Sequence, residues 1–108
     1  MRSTRAVIVL PAAIQAGEPF EVRATVAHAM ETGYRNDDAG TRLPRDLVRR
    51  FECRLDGELM FAADLFPAVS ANPYVAFWMR LSQPGELSFV WRGDAGFEHR
   101  ELRRITLS

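Results

Sequence analysis

Lysine is missing from this chain. All 14 basic residues are arginine, and 14 acidic residues balance them to a formal net charge of zero. A neutral chain without a basic run cannot neutralise a row of phosphates, so neither nucleic acid nor a membrane surface is expected as a partner. Arginine forms forked pairs with carboxylates and oxyanions better than lysine does, although genomic codon bias produces the same composition. Cysteine is almost absent as well: Cys53 stands alone, which rules out a disulfide within the chain. Apolar runs are short. Ala6-Val7-Ile8-Val9-Leu10 follows Arg2 and Arg5 but stops at Pro11. It falls below the roughly 7 to 15 residues of a secretory apolar region, and no stretch approaches the roughly 20 of a membrane helix. It reads as a first strand, so no export signal is expected.

The residues of catalysis are equally sparse. His28, Cys53 and His99 lie far apart, without the tight ligand spacing of a metal site. His28 ends the buried face of a strand, where a lone histidine reads as a hydrogen-bonded structural residue. There is no G-x-S-x-G elbow to activate a serine and no glycine-rich phosphate loop. Glu31, Asp37 and Asp38 read as a solvated loop rather than an acid–base pair. No enzymatic activity, cofactor or metal is expected.

What remains is a strand rhythm. At 108 residues, with 47% apolar and 26% charged residues, the chain (1–108) reads as one globular domain. In Phe20-Glu21-Val22-Arg23-Ala24-Thr25-Val26-Ala27-His28 the residues Phe20, Val22, Ala24, Val26 and His28 share one face, the period-2 pattern of a strand buried on one side. Further strands are predicted at 5–10, 48–55, 59–61, 74–81, after Gln83-Pro84-Gly85 where Leu87, Phe89 and Trp91 share a face, and at about 97–107. Turn residues at Ala16-Gly17-Glu18-Pro19, Asp56-Gly57, Gln83-Pro84-Gly85 and Asp94-Ala95-Gly96 separate them. Leu43, Leu47, Val48 and Phe51 also fit helical spacing, so a single helical or 3₁₀ turn is expected at 44–48. Strands at this spacing predict an all-β, immunoglobulin-like antiparallel β-sandwich of about seven strands. Its core should be Phe20, Phe51, Phe77, Phe89 and Trp91. Cys53 shares a face with Phe51 and Leu55, which reads as inert packing; a disulfide to another chain is the competing reading.

Strand alternation also places the loops. The polar stretch 29–45 is too long for a hairpin turn, and long ordered loops in compact domains are often functional. Counting strand directions brings 29–45, 62–73 and 93–96 to one end of the sandwich, where such domains usually bind. In and near these loops stand recognition residues: Met30, Tyr34, Tyr74 and Trp78. Tyr74, Ala76 and Trp78 oppose Val75, Phe77, Met79 and Leu81, so the fifth strand is apolar on both faces except at Arg80. A sandwich strand needs one apolar face; the second implies cover by another chain.

Several of these segments are specific in wording and spacing. His28-Ala29-Met30-Glu31-Thr32-Gly33-Tyr34-Arg35, Leu43-Pro44, Phe51-Glu52-Cys53-Arg54-Leu55-Asp56-Gly57, Ser70-Ala71-Asn72-Pro73-Tyr74 and Trp91-Arg92-Gly93-Asp94-Ala95-Gly96 resemble SoxZ. This is the family of the small subunit of the SoxYZ sulfur carrier of bacterial thiosulfate oxidation, and the similarity runs from about Val7 to Leu107. The resemblance implies a non-catalytic subunit that pairs with SoxY, whose cysteine near a flexible C-terminus carries covalent sulfur intermediates. It implies that other Sox enzymes recognise the pair, and that the pair is periplasmic through co-export with a signal-bearing SoxY. This chain ends Arg104-Ile105-Thr106-Leu107-Ser108, without a Gly-Gly-Cys-Gly-Gly arm, so it is not expected to hold the sulfur. The alternatives are a SoxZ-like module serving another SoxY-like carrier outside thiosulfate oxidation, and a self-associating sandwich. The candidate partner-binding residues are Met30, Glu31, Gly33, Arg35, Asn72, Tyr74, Trp78 and Asp94. Tyr74 and Trp78 are expected in a contact with SoxY, or in a homo-oligomer when SoxY is absent. Arg35 either meets anionic sulfur groups through forked hydrogen bonds or pairs with Asp37 or Asp38.

Overall fold

A computed structural model describes residues 5–65 and 71–108; Ser70 of the motif quoted above lies outside them. Among the described residues the chain forms seven strands: β1 (Ala6–Val9), β2 (Phe20–Val26), β3 (Val48–Leu55), β4 (Glu58–Asp64), β5 (Tyr74–Met79), β6 (Gly85–Gly93) and β7 (Glu98–Ile105). They form two antiparallel sheets, one of order β1-β2-β5 and one of order β4-β3-β6-β7. The architecture is the expected immunoglobulin-like sandwich. β4 is longer than expected because it stays paired with β3 as far as Arg50↔Asp64, through a register shift at Cys53/Arg54.

The helical turn expected at 44–48 is not there. Asp46 and Glu31 exchange backbone hydrogen bonds of 2.8 Å each, an isolated bridge that ties the long loop to the approach of β3. Leu47 and Val48 are both buried and Val48 already belongs to β3, so burial of successive residues overrides the helical spacing. The 3₁₀ turn among the described residues lies instead at Asp94–Gly96.

All five aromatic residues expected in the core are buried. Phe51 is their hub: its ring lies 5.2 Å from that of Trp91, 5.9 Å from Phe77, 6.2 Å from Phe61 and 6.4 Å from Phe89. The Phe77 contact joins the two sheets. Phe61 on β4 stacks on Phe77 of β5 at 4.2 Å, which places the β4 edge beneath the β5 edge.

Candidate partner-binding surfaces

The loops that strand counting brings to one end are bonded to one another there. Asn72 binds His28 twice, accepting from its N–H at Oδ1 (2.9 Å) and donating its own N–H to the His28 carbonyl (2.7 Å). His28 Nδ1 accepts from the Met30 N–H at 3.0 Å, so the ring's other nitrogen carries the proton and faces Asp46 Oδ1 at 3.5 Å. Asp94 ties the turn before β7 to the start of β3. Its Oδ2 accepts from the Leu47 N–H (3.1 Å), its N–H donates to the Leu47 carbonyl (2.9 Å), and Oδ1 takes Arg49 Nε at 2.6 Å. These donors hold the Asp94 carboxyl below the usual carboxylate range, with Arg49 the main cause.

Between these loops lies an open cleft of about 560 Å³, lined among others by His28, Glu31, Arg35, Arg45, Asp46 and Ala95. Arg35 pairs with Glu31, not with Asp37 or Asp38 as its charge neighbours suggested. Gly33 allows the loop to close on Arg45: it has φ +93°, and a Cβ there would sit 3.3 Å from the Arg45 Cβ. Met30 is drawn inward. It is 6% exposed, its sulfur accepts from the Val48 N–H, and φ is 57°. The side chain thus belongs to the core, and only its backbone shapes the surface.

The second surface is the outer face of the three-stranded sheet. The register aligns Val7 with Thr25 and Tyr74, and Val9 with Arg23 and Ala76, while Glu21 stands beside Trp78. Trp78 is 66% exposed, Val7 60%, Tyr74 56% and Val9 50%. In the middle Arg23 Nε donates to Glu21 Oε1 at 2.7 Å, so the charges on this face neutralise each other. Sequence reasoning found Tyr74 and Trp78 and missed Val7 and Val9. The same signal, an apolar strand on both faces, was present in Ala6-Val7-Ile8-Val9.

With loops and face in place, comparison with known proteins decides the family. The family described as "Sulphur oxidation protein SoxZ" matches residues 8–102. The chain belongs to the SoxZ family. No curated protein matches it in sequence. Among solved structures, the superoxide reductase (neelaredoxin) from Ignicoccus hospitalis is 21% identical, with a TM-score of 0.71 over 97% of this chain and 82% of that one. The sulfur carrier protein SoxY from Chlorobium limicola f thiosulfatophilum is 15% identical, with a TM-score of 0.66 over 95% and 78%. A superoxide reductase-like protein from Thermotoga maritima is 16% identical, with a TM-score of 0.65 over 95% and 85%. At these identities the likeness is one of fold, so this SoxZ-family chain shares its sandwich with a carrier and with reductases alike.

Family membership makes the chain a sulfur-oxidation protein of the Sox system. Among the described residues no group of three or more His, Cys, Asp or Glu side chains is placed to hold a metal ion. The SoxZ motif Phe51-Glu52-Cys53-Arg54 splits between two environments. Cys53 faces the core, and burial pushes its thiol up to about 12. Glu52 faces outward yet is covered by Arg50 (2.9 Å), Arg92 (3.2 Å) and Arg54 (3.3 Å).

Proposed function

We propose that the chain is the non-catalytic half of a heterodimer with a SoxY-like carrier subunit, whose cysteine holds sulfur intermediates during thiosulfate or sulfur oxidation. The observation that carries this reading is the exposed apolar face of Val7, Val9, Tyr74 and Trp78 on a chain of the SoxZ family. Aromatic residues on such a face have the composition of an interface centre, where one aromatic is worth about 2 kcal/mol or more. Glu21 and Arg23 neutralise each other between them, so a partner can dry the face without stranding a charge. The loop-end cleft, with Arg35 and Arg45 on its rim, is a second surface for the carrier or for the enzymes that load and unload it, because guanidinium groups pair with sulfur oxyanions. The pair works in the periplasm, reached by co-export with SoxY.

Co-expression with the SoxY-like protein, followed by size-exclusion chromatography and light scattering, tests the pairing. A stable complex of the two chains is expected, and Tyr74→Ser with Trp78→Ser should weaken it at least tenfold, as 1.4 kcal/mol corresponds to tenfold. Separate elution of the two wild-type chains overturns the reading. Arg35→Ala should leave the complex intact and slow sulfur transfer in a reconstituted system; unchanged turnover removes Arg35 from the transfer surface.

A further inference from the structure

A sandwich of two open sheets has four edge strands, and three of these are guarded against pairing with another chain. β1 is only four residues long. β4 carries Glu58 and Asp64 at its ends, and its register shifts midway. β7 is dense with charge: Glu98, Arg100, Glu101, Arg103 and Arg104. β5, Tyr-Val-Ala-Phe-Trp-Met, has no charge, no proline and no register shift. Among the described residues it has β2 on one side and no strand on the other.

The ladder shows which groups point to that open side. The Val26 N–H donates to the Pro73 carbonyl, at the next position of the β2–β5 register. Bonded pairs alternate in an antiparallel ladder, so Ala24–Val75, Val22–Phe77 and Phe20–Met79 are the bonded pairs of β2 with β5. The Ala27 N–H donates to the Arg5 carbonyl, which turns the other residues of β2 toward β1 and agrees with this phase. The N–H and C=O groups of Tyr74, Ala76 and Trp78 therefore face away from β2, along the free edge.

Those same residues form a pattern that reads alike in both directions, aromatic, alanine, aromatic. Placed antiparallel to itself about Ala76, the strand sets Ala76 against Ala76 of a second copy and Tyr74 against Trp78. Every such pair is of the bonded kind, giving about six backbone hydrogen bonds across the seam. On the outer face an aromatic stands opposite an aromatic on each side of the axis, a favoured cross-strand pair. On the inner face Val75 meets Phe77, continuing the apolar row. The neighbouring charges on β2, Glu21 and Arg23, are already paired, and Arg80, exposed on the same face beyond Trp78, falls at the two ends of the seam opposite Asn72 rather than against its own copy.

We propose that the chain self-associates as a two-fold dimer through the free edge of β5, joining two three-stranded sheets into one sheet of order β1-β2-β5-β5-β2-β1. This dimer goes beyond the pairing with a SoxY-like subunit and does not depend on it. Sedimentation equilibrium of the full chain, alone, should show a monomer–dimer equilibrium. Residue-resolved amide exchange should show Tyr74, Ala76 and Trp78 slowed at least about tenfold as the dimer fills. Ala76→Pro removes an N–H that faces the edge and none that binds β2, so it should be folded and monomeric at every concentration. Trp78→Lys, at an exposed position, places a gatekeeping charge on the edge and should give the same result if the proline variant fails to fold. A wild-type chain that remains monomeric with these amides exchanging freely overturns the proposal, as does a dimer that both variants leave intact. Protection of the three amides only when the SoxY-like subunit is added assigns the edge to that partner and likewise overturns self-pairing.

Discussion

Two neighbours on β3 show how little of a residue's chemistry is set by its type alone. Cys53 points into the core beside Phe61 and Phe89 on the flanking strands, and burial raises its thiol to about 12. Almost no thiolate then exists at neutral pH, and the thiolate is the reactive form. A thiol reagent should label the native protein only at the rate at which it unfolds, and labelling should become immediate in denaturant. Rapid native labelling, or a disulfide to a partner on a non-reducing gel, contradicts the buried assignment. Glu52, one residue earlier, points outward, and its carboxyl is held below the usual range, first by the hydrogen bond from Arg50 and with burial opposing. A carboxyl whose folded pKa is lowered stabilises above its ordinary pKa and loses that contribution as pH falls through the lowered value. Glu52→Gln should therefore lower stability by about 1.5 to 3 kcal/mol at pH 7, the range for hydrogen bonds to charged groups. In urea titrations the gap from wild type should close as the pH drops below about 4. A gap that persists unchanged in acid assigns the effect to packing instead.

Among elements, the strands were legible and the ties between them were not. Period-2 alternation in Phe20–Val26 and the turn residues around it point to β2 directly, because the pattern is local. The same holds for Asp56-Gly57, which turns β3 into β4. The 44–48 segment failed because its helical spacing competes with a bridge to Glu31, a partner distant in sequence and invisible to any local pattern. The polar loop around Met30 marks it as a surface residue, and its positive φ, which turns it inward, has no signature in the sequence. Gly93 was visible as part of a turn, but its reason was hidden. It lies at the register shift between β3 and β6, in extended backbone, and a Cβ there would collide with the Leu47 carbonyl oxygen. A contact with backbone cannot be relieved by turning a side chain. Gly93→Ala should cost about 1 to 3 kcal/mol, the range for overpacking, and should speed exchange of the Leu47 amide that Asp94 holds. Wild-type stability in this variant removes the close approach as the reason for glycine.

The whole molecule separates a surface that holds the fold from a surface that serves other chains. Phe51 and Trp78 are both large and aromatic, and both stand within strands, on β3 and β5. Phe51 is fully buried and joins β3 to rings on β4, β5 and β6, so it holds both sheets together. Trp78 stands on the outer face of β5, two-thirds exposed. The pattern of the sequence separates them, placing Phe51 on the apolar face of its strand and Trp78 on the second apolar face of a strand that needs only one, and the opposite sheet covers the first and not the second. Truncating Phe51 removes its contacts and leaves a cavity, at a cost of about 3 to 5 kcal/mol. That is a large share of the roughly 5 to 15 kcal/mol by which a domain is stable. Trp78→Ser, by contrast, should change the unfolding free energy of the monomer by no more than about 0.5 kcal/mol. Urea unfolding of both variants at a dilution that keeps the chain monomeric checks the pair. If Trp78→Ser destabilises the monomer as much as Phe51→Ala does, the outer face is part of the core and has no claim to be an interface. If it leaves the monomer unchanged while association is lost, the aromatic residues of β5 are kept there for another chain.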